Sequence, residues 1–357
     1  MREVWWFNRV VKPFSRLLLI LFAVGYGCSR EAEAKEGLRS QGSVRIIYDT
    51  DMGNDIDDAL ALGVIHALQS REECTLLAVT VSKGNFYAAA FSDLVNHFYG
   101  RPQIPVGLVR DGMTPEPGSY VKQLVEARDG NVWRYPRKIL RPEQVMDATD
   151  LLRRTLAAQP DAAVTVVVVG FATNLARLLD SAPDRHSPLD GRQLVARKVG
   201  LLSMMGGHFG IPRPEGFREY NIRIDLDASR RLLSRWPTPI VMSGYEIGES
   251  IQYPAESIQK DFGYQASHPL EEGYELYGKM PYDRSAWDLT SVLYAVRPDR
   301  GYFQLSEPGE FRIDDQGTVE LRSGGQRGDR HLTVTAEQII RVREALVALA
   351  SQPPAGQ

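Results

Sequence analysis

Val44-Arg45-Ile46-Ile47-Tyr48-Asp49-Thr50-Asp51-Met52-Gly53-Asn54-Asp55-Ile56-Asp57-Asp58-Ala59-Leu60-Ala61-Leu62 is the stretch on which the fold turns. Its start is a short apolar run that reads as a buried strand. Its end opens an apolar helix expected from about Asp57 to Ser70. Between them, residues 49 to 58 carry five carboxylates in ten positions. Aspartates suit the positive end of a helix dipole, but one helix end needs only one cap. Like charges at this density repel, so a positive partner must neutralise them. A divalent cation held by oxygen ligands is the simplest candidate.

Outward from this loop, Thr75 to Val81 is a second unbroken apolar strand, followed by Asn85 and a helix to about Tyr99. Residues 101–147 are rich in Pro, Gly and charge and predict mixed short elements. A helix returns from Ala148 to Gln159, then Ala163 to Val169 forms the clearest central strand. It ends in Gly170-Phe171-Ala172-Thr173-Asn174, a strand-to-helix turn. Val199 to Met205 and Pro239 to Ser243 predict further strands, with helices over Asp227 to Ser234 and Ala286 to Val296. Residues 302–334 alternate around Gly-rich turns and predict a small C-terminal antiparallel β appendage. Thr335-Ala336-Glu337-Gln338 then opens a last helix with a capping box.

Strands without alternation, separated by helices, indicate an α/β fold: a Rossmann-like, open, mainly parallel sheet with helices on both faces. In such a sheet ligands bind beyond the carboxyl ends of the strands. The acidic loop, Asn85, Thr173 and the Gly206-Gly207 turn each follow a strand, so all four are expected on one edge.

The 357 residues carry a net charge of −3 and are 43% hydrophobic, a composition that supplies a large core and no electrostatic basis for binding nucleic acid. Basic residues Arg2, Arg9, Lys12 and Arg16 precede an apolar run from Leu17 to Val24, which reads as a secretory signal. Two endings compete: Gly27-Cys28, as in a lipoprotein signal that would anchor the chain by lipid, and Ala32-Glu33-Ala34, an A-x-A cleavage site. An uncleaved anchor is the third reading. Residues 1–34 are therefore assigned to the signal and linker start, 35–43 to a linker and 44–350 to a single domain. The expected location is outside the cytoplasm: periplasmic, secreted or lipid-anchored. Cys74, inside an apolar run, is expected to be a small core residue.

The acidic loop is not an EF-hand, because Leu60 stands where a bidentate Glu is required. An Asp nucleophile for phosphoryl transfer, at Asp49 or Asp51, lacks the distant Lys and second acidic pair it would need.

Asp-Thr-Asp, Gly and then Asp-Asp-Ala after the first strand resembles the nucleoside hydrolase family of the inosine–uridine-preferring type. Thr173-Asn174-Leu175-Ala176, Met205-Gly206-Gly207, Glu219-Tyr220-Asn221 with Asp225, and Asp288 resemble its later signatures, in family order from about residue 44 to 296. The resemblance implies a nucleoside hydrolase fold with one bound Ca²⁺. It makes Asp51, Asp58, the Thr173 carbonyl and Asp288 the metal ligands. Asp51 is also implied as general base toward a water attacking the anomeric carbon. Asp57, Asn85, Glu219 and Asn221 would grip the ribose. Asp49 would orient its neighbours from behind. The implied activity is an exported Ca²⁺-dependent N-ribosyl hydrolase acting on a small-molecule nucleoside.

Three departures qualify that expectation. Asn54, Asp55 and Ile56 intervene between Gly53 and the Asp pair, two residues more than the family spacing, and Met52 replaces a usual Pro. Trp287 stands where many members carry a His acid; an aromatic residue there stacks on the base in a purine-preferring subgroup, so Trp287 tilts the expectation toward purines. A further ribose-binding Asn is not evident in His208-Phe209-Gly210-Ile211-Pro212-Arg213. His208 is kept as a leaving-group acid candidate, and Arg284 reads as a rim residue or substrate contact. Segments 101–147 and 259–285 are expected to shape the pocket. Two alternatives follow: a nucleoside- or sugar-binding protein without turnover, and a hydrolase of another glycoside. The family also forms homo-oligomers.

Overall fold

A computed structural model describes residues 43–212 and 215–355. The expected signal, its possible lipid site at Cys28 and most of the linker lie outside the described residues. Among the described residues, no helix is long and apolar enough to cross a membrane.

Nine strands form the central sheet: β1 (Val44–Thr50), β2 (Cys74–Lys83), β3 (Val106–Met113), β4 (Met146–Asp147), β5 (Val164–Val168), β6 (Val199–Met205), β7 (Ile240–Ser243), β8 (Gln304–Leu305) and β9 (Arg330–Thr333). Their order is β8-β9-β7-β6-β5-β1-β2-β3-β4. Every neighbouring pair is parallel except β8 with β9. The chain thus builds from β1 outward to β4, then returns to lay β5 on the other flank of β1. This reversal opens a crevice at the carboxyl ends of β1 and β5, the place where open α/β sheets bind ligands.

The helices used below are α1 (Asp57–Ser70), α2 (Phe86–Phe98), α3 (Ala148–Ala157), α4 (Thr173–Asp180), α5 (Gly191–Lys198), α6 (Leu226–Arg235), α7 (Trp287–Val296) and α8 (Ala336–Ala350). Side chains alternate across a strand, and both faces here are covered. Ile46, Tyr48, Val167 and Val169 enter one core, which also holds apolar residues of α1, α2, α7 and α8. Ile47, Val166 and Val168 enter the other, with residues of α3 to α6. Burial on both faces explains why these strands read as continuous apolar runs. Cys74 is buried in the first core, where burial pushes the pKa of its thiol up to about 12.

The C-terminal β region divides in two. Glu310–Ile313 and Val319–Arg322 form a separate antiparallel hairpin, whereas β9 joins the central sheet parallel to β7. The capping box of α8 forms as expected, with Thr335 and Gln338 satisfying each other's backbone N–H groups.

Candidate active site

β1 delivers the acidic loop to the crevice, and a glycine on β5's side makes room for it. A Cβ on Gly170 would lie 2.3 Å from the Asp51 backbone nitrogen and 2.6 Å from Ser82 Oγ, so only glycine permits this approach. Gly53 turns the loop with φ of 97°, a conformation L side chains rarely adopt. The chain then enters α1 with Asp57 and Asp58 in its first turn. Tyr48 Oη donates to the Asp58 carbonyl at 3.0 Å, and the Thr50 hydroxyl donates to Asp58 Oδ1.

The first turn of α7 meets α1 from the opposite side. The Asp288 backbone N–H donates to Asp57 Oδ2 at 3.1 Å. Carboxylate oxygens of Asp57, Asp58 and Asp288 lie within 4.8 Å of one another, and all three residues are buried. Burial pushes the pKa of each well above the usual carboxylate range, and the neighbouring carboxylates push further. Burial also raises Asp51 to about 6, against the hydrogen bond from Asn54 and the charge of Lys83, which both favour its ionised form.

These side chains form the floor of a cavity of about 380 Å³. Glu219, Asn221, Val169 and Met205 line one side. Tyr220, Tyr245, Tyr277 and Trp287 supply aromatic walls, and Asn54, Asp55 and Arg284 also reach the space. The structure thus assembles Asp51, Asp57, Asp58, Glu219, Asn221, Trp287 and Asp288 around one volume. Glu219 caps the short helix Tyr220–Ile224 through both carboxylate oxygens, and burial raises it to about 7. Asn221 Nδ2 donates to the Val169 carbonyl at 2.7 Å, which turns its amide oxygen away from that bond.

Two expected residues stand apart. Asn85 is not among the lining residues: its side chain caps α2 by accepting from Tyr87 N at 2.9 Å and donates to the Pro115 carbonyl at 2.6 Å. Thr173, at the start of α4, is also outside the lining; the ligand expected of it is its backbone carbonyl, and its hydroxyl donates to Asp225 Oδ2 at 2.6 Å. Asp49 lies beneath the floor, where Thr80 Oγ1 and Asn174 Nδ2 donate to its Oδ2 at 2.5 and 2.8 Å. It ties β1, β2 and α4 together, and burial raises it to about 7. His208 does not line the cavity either; it stacks on Tyr245 with ring centroids 6.1 Å apart. His268 is buried and caps the helix Pro269–Tyr277.

The two extra residues of the acidic loop have partners. Asn54 Nδ2 donates to Asp51 Oδ2 at 2.7 Å and to Thr114 Oγ1 at 3.1 Å, while its Oδ1 accepts from the buried Lys83 ammonium. Asp55 takes Arg284 side-on, with Arg284 Nε donating to Oδ1 at 2.9 Å and Nη2 donating to Oδ2. Tyr120 Oη fixes the Asp55 carbonyl at 2.7 Å.

The sequence profile described as inosine-uridine preferring nucleoside hydrolase matches residues 46–348. The chain belongs to this nucleoside hydrolase family. It is 29% identical over 231 residues to the pyrimidine-specific ribonucleoside hydrolase RihA of Citrobacter koseri, an alignment covering 60% of this chain and 64% of the relative. The chain thus spans under two thirds of the length of that relative. Among solved structures it resembles the inosine-uridine preferring nucleoside hydrolase of Bacillus anthracis, with a TM-score of 0.65, 18% identity, and coverage of 86% of this chain and 99% of that one. The purine-preferring ribonucleoside hydrolase of Gardnerella vaginalis matches with a TM-score of 0.62 at 18% identity, over 86% of this chain and 99% of that one. At such identities these two likenesses establish the nucleoside hydrolase fold.

Proposed function

We propose that the protein hydrolyses the N-glycosidic bond of ribonucleosides, and the buried convergence of the Asp57, Asp58 and Asp288 carboxylates at the floor of an aromatic-walled cavity carries this reading. Three carboxylates cannot all stay ionised at this spacing without a cation. The donor set is oxygen alone, with no His or Cys in the lining, which suits a hard divalent ion such as Ca²⁺. The converging carboxylates are those of Asp57, Asp58 and Asp288, whereas the family resemblance makes Asp51, Asp58, Asp288 and the Thr173 carbonyl the residues that would hold the ion. When bound, such an ion neutralises the carboxylates and lowers the pKa of coordinated water.

Asp51 takes the proton of the attacking water. Asn54 donates to its Oδ2 at 2.7 Å and so fixes the orientation of the carboxylate. Asp57 is fixed through Oδ2 by the Asp288 N–H, and in this reading its other oxygen takes a ribose hydroxyl. The Asn221 amide oxygen and Glu219 engage the sugar from the side. The ribosyl group develops positive charge as the bond to the base lengthens, and the surrounding carboxylates stabilise it. Tyr245 and Trp287, with ring centroids 5.3 Å apart, exclude water and present apolar faces to a planar base.

Two observations bear on base size and point in opposite directions. Trp287 in the wall supports a purine, while the RihA relatives are named pyrimidine-specific. A panel of purine and pyrimidine ribonucleosides, assayed for free base with wild type and Asp51→Ala, tests the reading. Base release by the wild type, lost in Asp51→Ala and after chelation, is expected. No release from any nucleoside by the Ca²⁺-loaded protein sinks the proposal.

A further inference from the structure

Arg284 sits where the aromatic wall meets the expanded loop. Its guanidinium carbon lies 5.1 Å from the Tyr277 ring centroid and 5.0 Å from that of Trp287. The side-on pair with Asp55 engages Nε and Nη2. A guanidinium offers about five N–H donors, so this pair leaves roughly three unspent. No other protein acceptor takes them among the described residues, and Arg284 lines the cavity. Stacking on rings and a two-point carboxylate clamp fix both the plane and the direction of the fork.

The same cavity lacks an obvious acid for a departing base. Its lining has no His, Cys or Lys, burial pushes the hydroxyls of its tyrosines Tyr220, Tyr245 and Tyr277 above their usual pKa and so makes them weaker acids, and the Trp287 indole N–H is committed to the Tyr245 carbonyl at 2.9 Å. The carboxylates on its floor serve the sugar side. The one fixed positive charge in the lining is Arg284.

Resting on the hydrolase reading above, we propose that Arg284 is a specificity-determining residue that selects nucleosides whose base accepts the glycosidic electron pair onto a carbonyl oxygen. Asp55 is its positioning residue. The water oxygen bonds to the anomeric carbon as the carbon–nitrogen bond breaks, and the water proton passes to Asp51. The bond's electron pair leaves with the base and is delocalised onto a carbonyl oxygen, to which Arg284 donates its free N–H groups. Solvent then protonates the released base, and Asp51 returns its proton to solvent. Uracil and hypoxanthine satisfy this requirement; adenine has no carbonyl. The distinction is therefore drawn by oxo groups rather than by ring size. The two-residue expansion of the acidic loop supplies the carboxylate that aims the guanidinium.

The test compares uridine, inosine, adenosine and para-nitrophenyl riboside, whose phenolate leaves without assistance. Wild type, Arg284→Gln, Arg284→Lys and Asp55→Asn are assayed after calorimetry shows that each binds Ca²⁺. Wild type is expected to favour uridine and inosine over adenosine. In Arg284→Gln the ratio of kcat/KM for uridine to that for para-nitrophenyl riboside should fall by about 10²-fold, the usual effect of removing one donor to developing negative charge. Arg284→Lys should restore part of that ratio, and Asp55→Asn should lower it by an intermediate factor. A ratio unchanged in both Arg284→Gln and Asp55→Asn, or adenosine as the preferred wild-type substrate, overturns the inference while leaving the hydrolase reading intact. No wild-type turnover of any riboside overturns both.

Discussion

Asn54 donates its side-chain amide to Asp51 Oδ2 at 2.7 Å, and Lys83 decides which end of that amide faces the carboxylate. An ammonium only donates, so it must take the amide oxygen, and the NH₂ group is thereby turned to Asp51. The residue added to the loop thus orients the proposed base. Asn54→Ala removes that hold and leaves the buried Lys83 without its acceptor. Loss of such an orienting partner typically costs 10- to 100-fold in activity, roughly the fall in kcat expected here. Stability should drop by about 1–3 kcal/mol from the unsatisfied ammonium. Steady-state kinetics and thermal denaturation check the two effects separately, and an unchanged kcat would show that Asp51 needs no such support.

Cation loading should cancel the pH dependence of stability. Asp49 and Glu219 have folded pKa values raised by burial to about 7, and Asp57, Asp58 and Asp288 are raised as well. A carboxyl raised on folding binds its proton more tightly in the folded state. The metal-free protein is therefore most stable below the unfolded carboxylate pKa values, near pH 4, and loses stability as pH rises through the folded values near 7. Ca²⁺ requires the ionised carboxylates, so its stabilisation grows over the same interval. Calorimetric Tm values near pH 5 and pH 8, with Ca²⁺ and with chelator, should show the chelated protein falling and the loaded protein holding. Parallel curves would mean that no cation occupies the acidic floor.

Much of this arrangement is legible in the amino-acid sequence, for identifiable reasons. The helix Asp57–Ser70 and the strand Val199–Met205 occupy the ranges expected from their apolar runs. Parallel strands buried on both faces write their burial directly into sequence. The gathering of Asp51, Asp58 and Asp288 around one cavity follows from topology, because the loops after β1 and before α7 open on one edge. What is not legible depends on pairing at long range. Asp55 meets Arg284 across 229 positions, and no local pattern announces that contact. Tyr245 and Tyr277 enter the cavity from the helices Tyr245–Ser250 and Pro269–Tyr277, which no clear periodicity marks. The short helix α5 is equally silent, because its mostly polar turns present only Leu194 and Val195 as buried apolar side chains. Asn85, by contrast, shows a role that is legible locally: just after a strand, its side chain accepts from Tyr87 N and caps the following helix.

Neutralising one carboxylate of the floor should separate stability from function. Asp58→Asn removes a buried charge that repels Asp51 and Asp57, while its amide still fits beside Thr50. Replacing an uncompensated buried charge by a neutral group of the same shape relieves its desolvation cost. The chelated variant should melt higher than chelated wild type at about pH 8, by several degrees for a gain of about 1–2 kcal/mol. Its Ca²⁺ affinity should fall by at least about 10-fold, since a ligand charge is gone. Isothermal calorimetry and base-release assays provide the readouts. A variant that binds Ca²⁺ as tightly as wild type would remove Asp58 from the ligand set.

Gly170→Ala tests whether the crevice depends on the close approach of β5's end to the acidic loop. The added methyl would sit 2.3 Å from Asp51 N, 2.6 Å from Ser82 Oγ and 2.7 Å from the Thr50 carbonyl carbon. Two of these neighbours are backbone, so the strain cannot be relieved by a rotamer change. Ser82 Oγ also accepts from Phe171 N at 3.0 Å and donates to the Thr50 carbonyl at 3.2 Å, a bridge between the two strand ends that the methyl would displace. Overpacking of this kind costs about 1–3 kcal/mol. The loop must shift away from β5, carrying Asp51 with it, and catalysis is sensitive to such displacement at about 10²-fold for 1 Å. The expected outcome is a lowered Tm together with a kcat reduced by about that factor, while Gly210→Ala, whose added methyl would meet the His208 and Glu246 side chains outside the cavity lining, should leave kcat within a few-fold of wild type. Equal kcat in the two variants would show that the approach of β5 to Asp51 is a packing feature without bearing on the chemistry.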